Sequence, residues 1–498
     1  MRALIAAIAL AATMPGAVAA RAQDAPQVVA TYHNAPDRNG LYTVPGLTGA
    51  VAATVHPDTA FSGTVKGNIY AQPLYWRGTE AAHGLVIVAT ESNNVYALDA
   101  TTGAVIWHVS LGPSVANSEL PCGNIDPVGV TGTPAIDRTT GALYVAAMVD
   151  RPAGPQHMVY ALSVHTGATL PGWPVNVHAA AAARGIAFSP SVQEQRSALS
   201  LVEGKLYVGY GGHYGDCNPY HGWVVGFDPA GPSLFGAWGT RASKGGIWAP
   251  GGLAAKAGRL FAATGNTAGA TSWGDGEAII HVPLTLTHPT GPAHYFTPSN
   301  WQALDNADLD LGGTGPLPVE VPTGGTPAEF VLALGKDGSA YLLDQANLGG
   351  VGGALASATV SSNPIRTSPA AYETGNGTLV AVTAQGSNCG SSGTGLTVLK
   401  ITAVPAPAIA TAWCAGLSGQ GAPIITTSDG TQNPIVWATG AEGDNQLHGF
   451  NATTGAVVFA GSGTQMSGLR HFGTIMAAEG RLYIAADNRI YAFAFNGL

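Results

Sequence analysis

A unit of roughly 40 to 50 residues recurs along this chain, and a period of that length restricts the fold more than any single residue does. Its clearest copy is GLVIVATESNNVYALDATTGAVIWHVSLG, residues 84–112. It reads as an alternating apolar strand, a polar turn, a second strand ending at Leu98-Asp99, the turn Thr101-Thr102-Gly103, and a third strand through Trp107. The same grammar returns in GALYVAAMVD with HMVYALSVHTGATLPGWPV, in KLYVGYGGHYGDCNPYHGWVVGFDPAG, in RLFAATGN with EAIIHVPL, and in FVLALGKDGSAYLLD. LVAVTAQGSNCGSSGTGLTVLKI, PIVWATGAEGDNQLHGFNATTGAVVFA and RLYIAADNRIYAFAF bring the count to eight. Short runs of small residues, such as 132–136 and 367–371, precede the strand pairs and suit a crowded innermost position. The expectation is an all-β chain forming one eight-bladed β-propeller, with seven blades as the alternative count.

The last unit stops at Phe493 to Phe495 without room for an outer strand, while residues 51–65 precede the first inner strand expected at 69–75. The N-terminal segment is therefore expected to supply the final blade's outer strand. That arrangement closes the ring and covers two open sheet edges. Composition agrees, because only 10% of the residues are charged and there are 69 Gly and 33 Pro. Tight turns between short strands are cheap in such a chain, and charged surface helices are not.

Residues 1–22 read as a secretory signal peptide, with a cation at Arg2, an apolar run from Ala3 to Ala12 and small residues before Gln23. Residues 23–498 are then a single exported propeller domain, periplasmic or secreted. No later stretch is long and apolar enough to span a bilayer. A net charge of −9 excludes a nucleic-acid partner, whose phosphates demand clustered Lys and Arg. A monomer is expected. The four cysteines form no CxxC pair, and export favours disulfides over a metal site. Cys389 with Cys414, which share one repeat, and Cys122 with Cys217 is the expected pairing among three connectivities.

The units YALDATTGAVIW (96–107) and GFNATTGAVVF (449–459) resemble the repeat of the pyrroloquinoline-quinone (PQQ) propellers, and the likeness extends over nearly all of the chain beyond residue 22. In a four-stranded blade the turn between the second and third strands and the link to the next blade emerge on one face. On that face several segments are similar to the cofactor site of quinoprotein alcohol dehydrogenases. Ala263-Thr264-Gly265-Asn266 looks like the family's TGN turn, whose Asn is a calcium ligand. Asp308-Leu309-Asp310-Leu311-Gly312-Gly313 resembles its acidic link, and Asp310 is the closer match to the catalytic base and second calcium ligand. Lys336-Asp337-Gly338 is similar to the basic turn that holds the quinone oxygens. Asp216, with a one-residue shift, lies where the family has a calcium-binding Glu.

Calcium takes hard oxygen ligands, so this set would suit it. The resemblance implies a PQQ- and calcium-dependent dehydrogenase of alcohols or related small molecules, with Asp310 taking the alcohol proton. Two features depart from the family. No adjacent cysteine pair is present, and Trp248 stands without the usual motif around it, as a stacking surface for the quinone or as an inner-strand Trp packed on the next blade. Arg196, in SPSVQEQRSALSL, either offers a bidentate donor to an anion in the central funnel or caps carbonyls between blades. His213 and His221 share a loop with Asp216 but lack the third ligand a catalytic zinc would need. No GxSxG, HExxH or phosphate-binding glycine loop occurs. The alternative function, from a different class, is a non-catalytic propeller holding a protein or polysaccharide partner on the funnel face.

Overall fold

In the computed structural model, residues 28–78, 84–387, 389, 395–461 and 463–498 are described; the signal-peptide reading at 1–22 falls outside them. The alternating segments pair into eight antiparallel sheets around one axis, so the eight-blade count holds. Each second strand is covered on both faces by neighbouring blades, which is why Leu85–Ala89 and Ala142–Val149 are apolar at every position and buried throughout. Outer strands face solvent on one side, and Val105–Ser110 alternates accordingly.

The TTG turn of the repeat docks one blade on the next. Asp99 Oδ1 accepts the backbone N–H groups of Thr101 and Thr102 at 3.0 and 2.7 Å, leaving Gly103 to close the turn at φ +73°. On blade 2 the equivalent Gly167 lies under the Trp107 ring of blade 1, where an added Cβ would stand 2.7 Å from the ring. Trp107 Nε1 also donates to Val164 O at 3.0 Å. Trp413 repeats this on Gly455 of blade 7, donating to Ala452 O at 2.8 Å.

Closure follows the expected plan. The last strand, Arg489–Ala494, pairs with Gly63–Thr64 and His56–Pro57, so the N-terminal segment forms the outer edge of blade 8. The first inner strand starts later than expected, at Leu74–Trp76, because Gln72 is turned toward the axis. There its backbone N–H donates to Thr133 Oγ1 and its side chain accepts from His33 N.

Residues 28–44 do something the repeat does not announce. Val28–Val29 adds to the inner strand of blade 1 and Leu41–Thr43 adds in parallel to that of blade 7. Between them the chain crosses the axis. Ala30, Pro36 and Asn39 accept backbone N–H groups from Ile136, Ala255 and Ala371, on blades 2, 4 and 6. This crossing plugs the channel beneath the face that carries the candidate residues.

Both disulfides form as expected, Cys122–Cys217 and Cys389–Cys414. The first ties the link between blades 1 and 2 to the second-to-third-strand turn of blade 3. Among the described residues no helix is long and apolar enough to cross a membrane.

Candidate active site

Asn266 follows the strand Arg259–Thr264 of blade 4, and the link to blade 5 runs through the short helix Trp301–Ala307 before it reaches Asp308 and Asp310. Asp305 on that helix fastens the two segments together, accepting from Thr267 N, Thr267 Oγ1 and Gly269 N. The helix ends at Asp308 in the left-handed conformation, φ 54°, which redirects the chain toward the axis.

Asp310 is buried, and its carboxylate meets Lys336 Nζ on one oxygen and the Asn266 N–H at 2.7 Å on the other. Asp308 Oδ1 lies 2.9 Å from Asn266 Nδ2 and 3.4 Å from Lys336 Nζ. The Lys336 ammonium stands 5.1 Å from the centre of the Trp248 ring, and Arg196 stands 6.0 Å from the same ring. The glycine of the TGN turn is needed for this approach, since a Cβ on Gly265 would come within 2.9 Å of Asp310 Oδ1 and 3.0 Å of Trp248 Nε1. Asn266, Asp310, Lys336, Trp248 and Arg196, separated widely in sequence, therefore share one place.

Burial pushes the Asp310 carboxyl above its ordinary pKa, and the Lys336 charge opposes that rise. Behind it Glu277, fully buried, is pushed up to about 9 by burial and by the Asp310 charge; its Oε2 accepts from Leu311 N at 2.6 Å. Glu277 and Asp310 are thus two buried carboxyls side by side, with Lys336 as the cation beside the second.

Asp216 takes φ 50°, and its Oδ1 accepts the Tyr220 hydroxyl at 2.6 Å; that hydroxyl also feels the Asp310 charge. The two loop histidines part company. His221 Nδ1 lies on the carbonyls of Thr240 and Ala242, while buried His213 turns its Nδ1 toward Glu194 Oε2 at 3.6 Å. Arg196 neither caps carbonyls nor stands free: it pairs with Glu194 through Nη2 at 2.9 Å. Burial would raise the Glu194 carboxyl, but the Arg196 charge and His213 bring it down to about 2.

Glu194, Glu277 and Phe472 were not singled out from sequence. Glu194 sits between Gln193 and Arg196 in a segment already marked as unusual, and an acidic residue two positions before the Arg that precedes the inner strand was the available signal. Phe472 gave none. It holds φ 67°, a left-handed conformation unfavourable for a bulky side chain, and its ring centre lies 6.4 Å from that of Trp248. Together with Tyr70, Ile125, Thr131, Arg196 and His471 it lines a small axial cavity of about 20 Å³.

Near this cavity Glu91 is wholly buried, accepts Gly129 N at 2.7 Å, and is pushed up to about 8, chiefly by burial. The folded protein thus keeps a proton that the unfolded chain, titrating near 4.5, has released. Stability is expected to fall as pH rises from about 4.5 to about 8, by at most about 1.4 kcal/mol per pH unit from this group. Glu91→Gln should flatten that slope in thermal melts at pH 5, 6, 7 and 8; an unchanged slope would show Glu91 to be ionised in the fold.

No family model matches the chain, and no curated protein matches it by sequence. Solved structures do match. The quinohemoprotein alcohol dehydrogenase of Comamonas testosteroni superposes with a TM-score of 0.63 at 14% identity, over 94% of this chain and 80% of that one. The fold is shared with quinoprotein alcohol dehydrogenases. The quinohemoprotein alcohol dehydrogenase ADHIIG of Pseudomonas putida HK5 gives 0.64 at 13% identity, over 95% and 80%. A europium-containing methanol dehydrogenase gives 0.64 at 12% identity, over 94% and 98%.

Proposed function

We propose that this protein is an exported, quinone-dependent dehydrogenase of alcohols or related small molecules, assisted by a hard cation. The observation that carries the reading is the meeting of Asn266, Asp310 and Lys336 beside Trp248, on segments from blades 3, 4 and 5.

The residues fit the groups this chemistry requires. Asn266 Oδ1 is buried and has no hydrogen-bond partner, an oxygen left for a ligand rather than for the fold. With the Asp310 carboxylate it offers hard donors of the kind calcium or a lanthanide takes. Asp216, whose Oδ1 accepts the Tyr220 hydroxyl, would be the further acidic donor. Lys336 offers an ammonium to quinone oxygens, and Trp248 and Arg196 offer a flat face and a bidentate donor to a planar, carboxylated ring system. PQQ, when bound, supplies the electron-pair acceptor, and the cation polarises it.

The chain's own part is the proton. Asp310, 3% exposed, is the base for the alcohol hydroxyl, and the Lys336 charge works against the rise that burial imposes on its pKa. The plug at residues 28–44 blocks the channel from below, so substrate and water reach Asp310 from one face. Export is supported by the two disulfides, which persist in oxidising compartments, and by the sequence pattern of residues 1–22.

Titration of the chelator-stripped protein with PQQ, followed by tryptophan fluorescence, with no added metal and with calcium or europium, tests the reading. Saturable, cation-dependent binding is expected, with Asn266→Ala losing on the order of 10–100-fold in apparent cation affinity. Absence of saturable binding under all three conditions would sink it.

A further inference from the structure

A second and much larger cavity, about 700 Å³, opens on the same face between blades 6 and 7. We infer that it is a binding cleft for a neutral, polyhydroxylated molecule such as a sugar or polyol. That this molecule is the alcohol substrate rests on the function proposed above; that it binds does not.

Size comes first. Pockets that enclose small molecules span about 300–1,000 Å³, whereas the axial cavity by Phe472, at about 20 Å³, holds little more than a water.

Lining chemistry selects the ligand. Asn363, Gln385 and Gln420, from three separate segments, are exposed and line the cleft, and among the described residues none of their side-chain amides has a hydrogen-bond partner. Each amide offers donors and acceptors at once, which is what adjacent hydroxyl groups require. The charged members are both acidic. Asp444 is held by His448 Nε2 and Gln446 N, both at 2.9 Å, and Glu442 Oε1 by His471 Nδ1 at 2.7 Å, which leaves Glu442 Oε2 to accept a hydroxyl proton. No Lys or Arg is among the described residues lining the cleft, so nothing there would compensate an anionic ligand. Leu417 is the one large apolar side chain among them, too little to hold a hydrocarbon. Anions and apolar molecules are disfavoured by the same wall that suits a polyol.

Position links the cleft to the chemistry. Its Asn363-Pro364 wall continues into Ile365, whose carbonyl lies 3.0 Å from where a Cβ on Gly313 would stand; Lys336 Cγ lies 3.3 Å from the same point. On the opposite side Gln420 O accepts the backbone N–H of Phe472 at 3.0 Å, and Phe472 faces Trp248. The cleft thus adjoins, through Ile365 and Phe472, the segments that pack against the candidate site.

Saturation-transfer NMR on the full exported chain, without quinone, would test this with maltotriose and xylitol as neutral probes, gluconate as the anion and 1-butanol as the apolar alcohol. The neutral polyols should give saturable signals that fall at least fivefold in Gln385→Ala/Gln420→Ala, with gluconate and butanol weaker by a similar factor. Both substitutions remove exposed side chains and leave the backbone contacts of Gln420 in place, and thermal melts would confirm an intact fold. Equal signals in the double variant, equal binding of gluconate or butanol, or no polyol binding would each overturn the inference. Protein that binds PQQ but no polyol refutes the cleft alone; protein that binds polyol but no PQQ refutes the quinone reading and leaves the cleft standing.

Discussion

Asp310→Asn is expected to lower kcat/KM for alcohol oxidation, measured with PQQ, calcium and an artificial electron acceptor, by roughly 10²–10⁴-fold, the range over which a positioned general base contributes. The variant keeps an oxygen for the Asn266 N–H, which donates to Asp310 at 2.7 Å, but sets an amide against Lys336, so its thermal melt should fall while the fold is kept. Lys336→Met tests the same base differently. In the native site burial raises the Asp310 pKa and the Lys336 charge lowers it. Removing the cation leaves burial unopposed, so Asp310 holds its proton to higher pH. The acid limb of the pH–rate profile should therefore move to higher pH in Lys336→Met, with part of the activity recovered in alkaline buffer, while Asp310→Asn recovers none. A near-native rate in Asp310→Asn would show that another group takes the proton. A fixed acid limb in Lys336→Met would show that the lysine does not set the base.

The parts of this molecule that were legible in the sequence are those encoded locally. A strand covered by a blade on each side must be apolar at every position, and a TTG turn beneath a neighbour's tryptophan must keep its glycine, so each blade carries its own signature, as Trp107 over Gly167 shows. Asn266, Asp310 and Lys336 were recognisable because each lies in a short motif whose turn geometry depends on adjacent residues. Asp216 lay in such a loop as well, but its bond with the Tyr220 hydroxyl, four residues on, was not legible there. Glu194 pairs with Arg196, two residues on, but its contact with His213, and that of Phe472 with Trp248, come from other segments that no local pattern announces. The crossing at residues 28–44 belongs to the same class. It follows no repeat, because its partners come from many blades in turn and no two of its residues meet the same surroundings.

Arg38, at the centre of that crossing, should be the most costly single residue to remove from the fold. It is 3% exposed, and its guanidinium donates to Leu253 O at 3.0 Å, Leu199 O at 3.0 Å, Ser200 Oγ at 2.6 Å and Tyr32 O at 3.3 Å, with Thr31 Oγ1 as a further acceptor. The neighbouring carboxylate, Asp37, is held by Lys256 at 3.2 Å. Burial lowers the Arg38 pKa to about 10, which still leaves it charged at neutral pH. Five fixed donors thus answer acceptors on the plug and on blades 3 and 4 together. Arg38→Met fills similar space without a donor, and each buried acceptor left unpaired costs about 1–3 kcal/mol, offset in part by no longer burying a cation. A net loss of about 3 kcal/mol or more is expected, read as a lower urea midpoint and faster unfolding. Arg38→Lys keeps the charge but has fewer donors and no planar fork, so it should fall between Arg38→Met and the native protein. Added salt should not reproduce the effect, since a buried cation is poorly screened. If Arg38→Met unfolds as slowly as the native chain, the plug is a passive filler. If the loss appears and the quinone titration weakens alongside it, the crossing is also the floor on which the ligand rests, and the N-terminal segment serves the site as well as the ring.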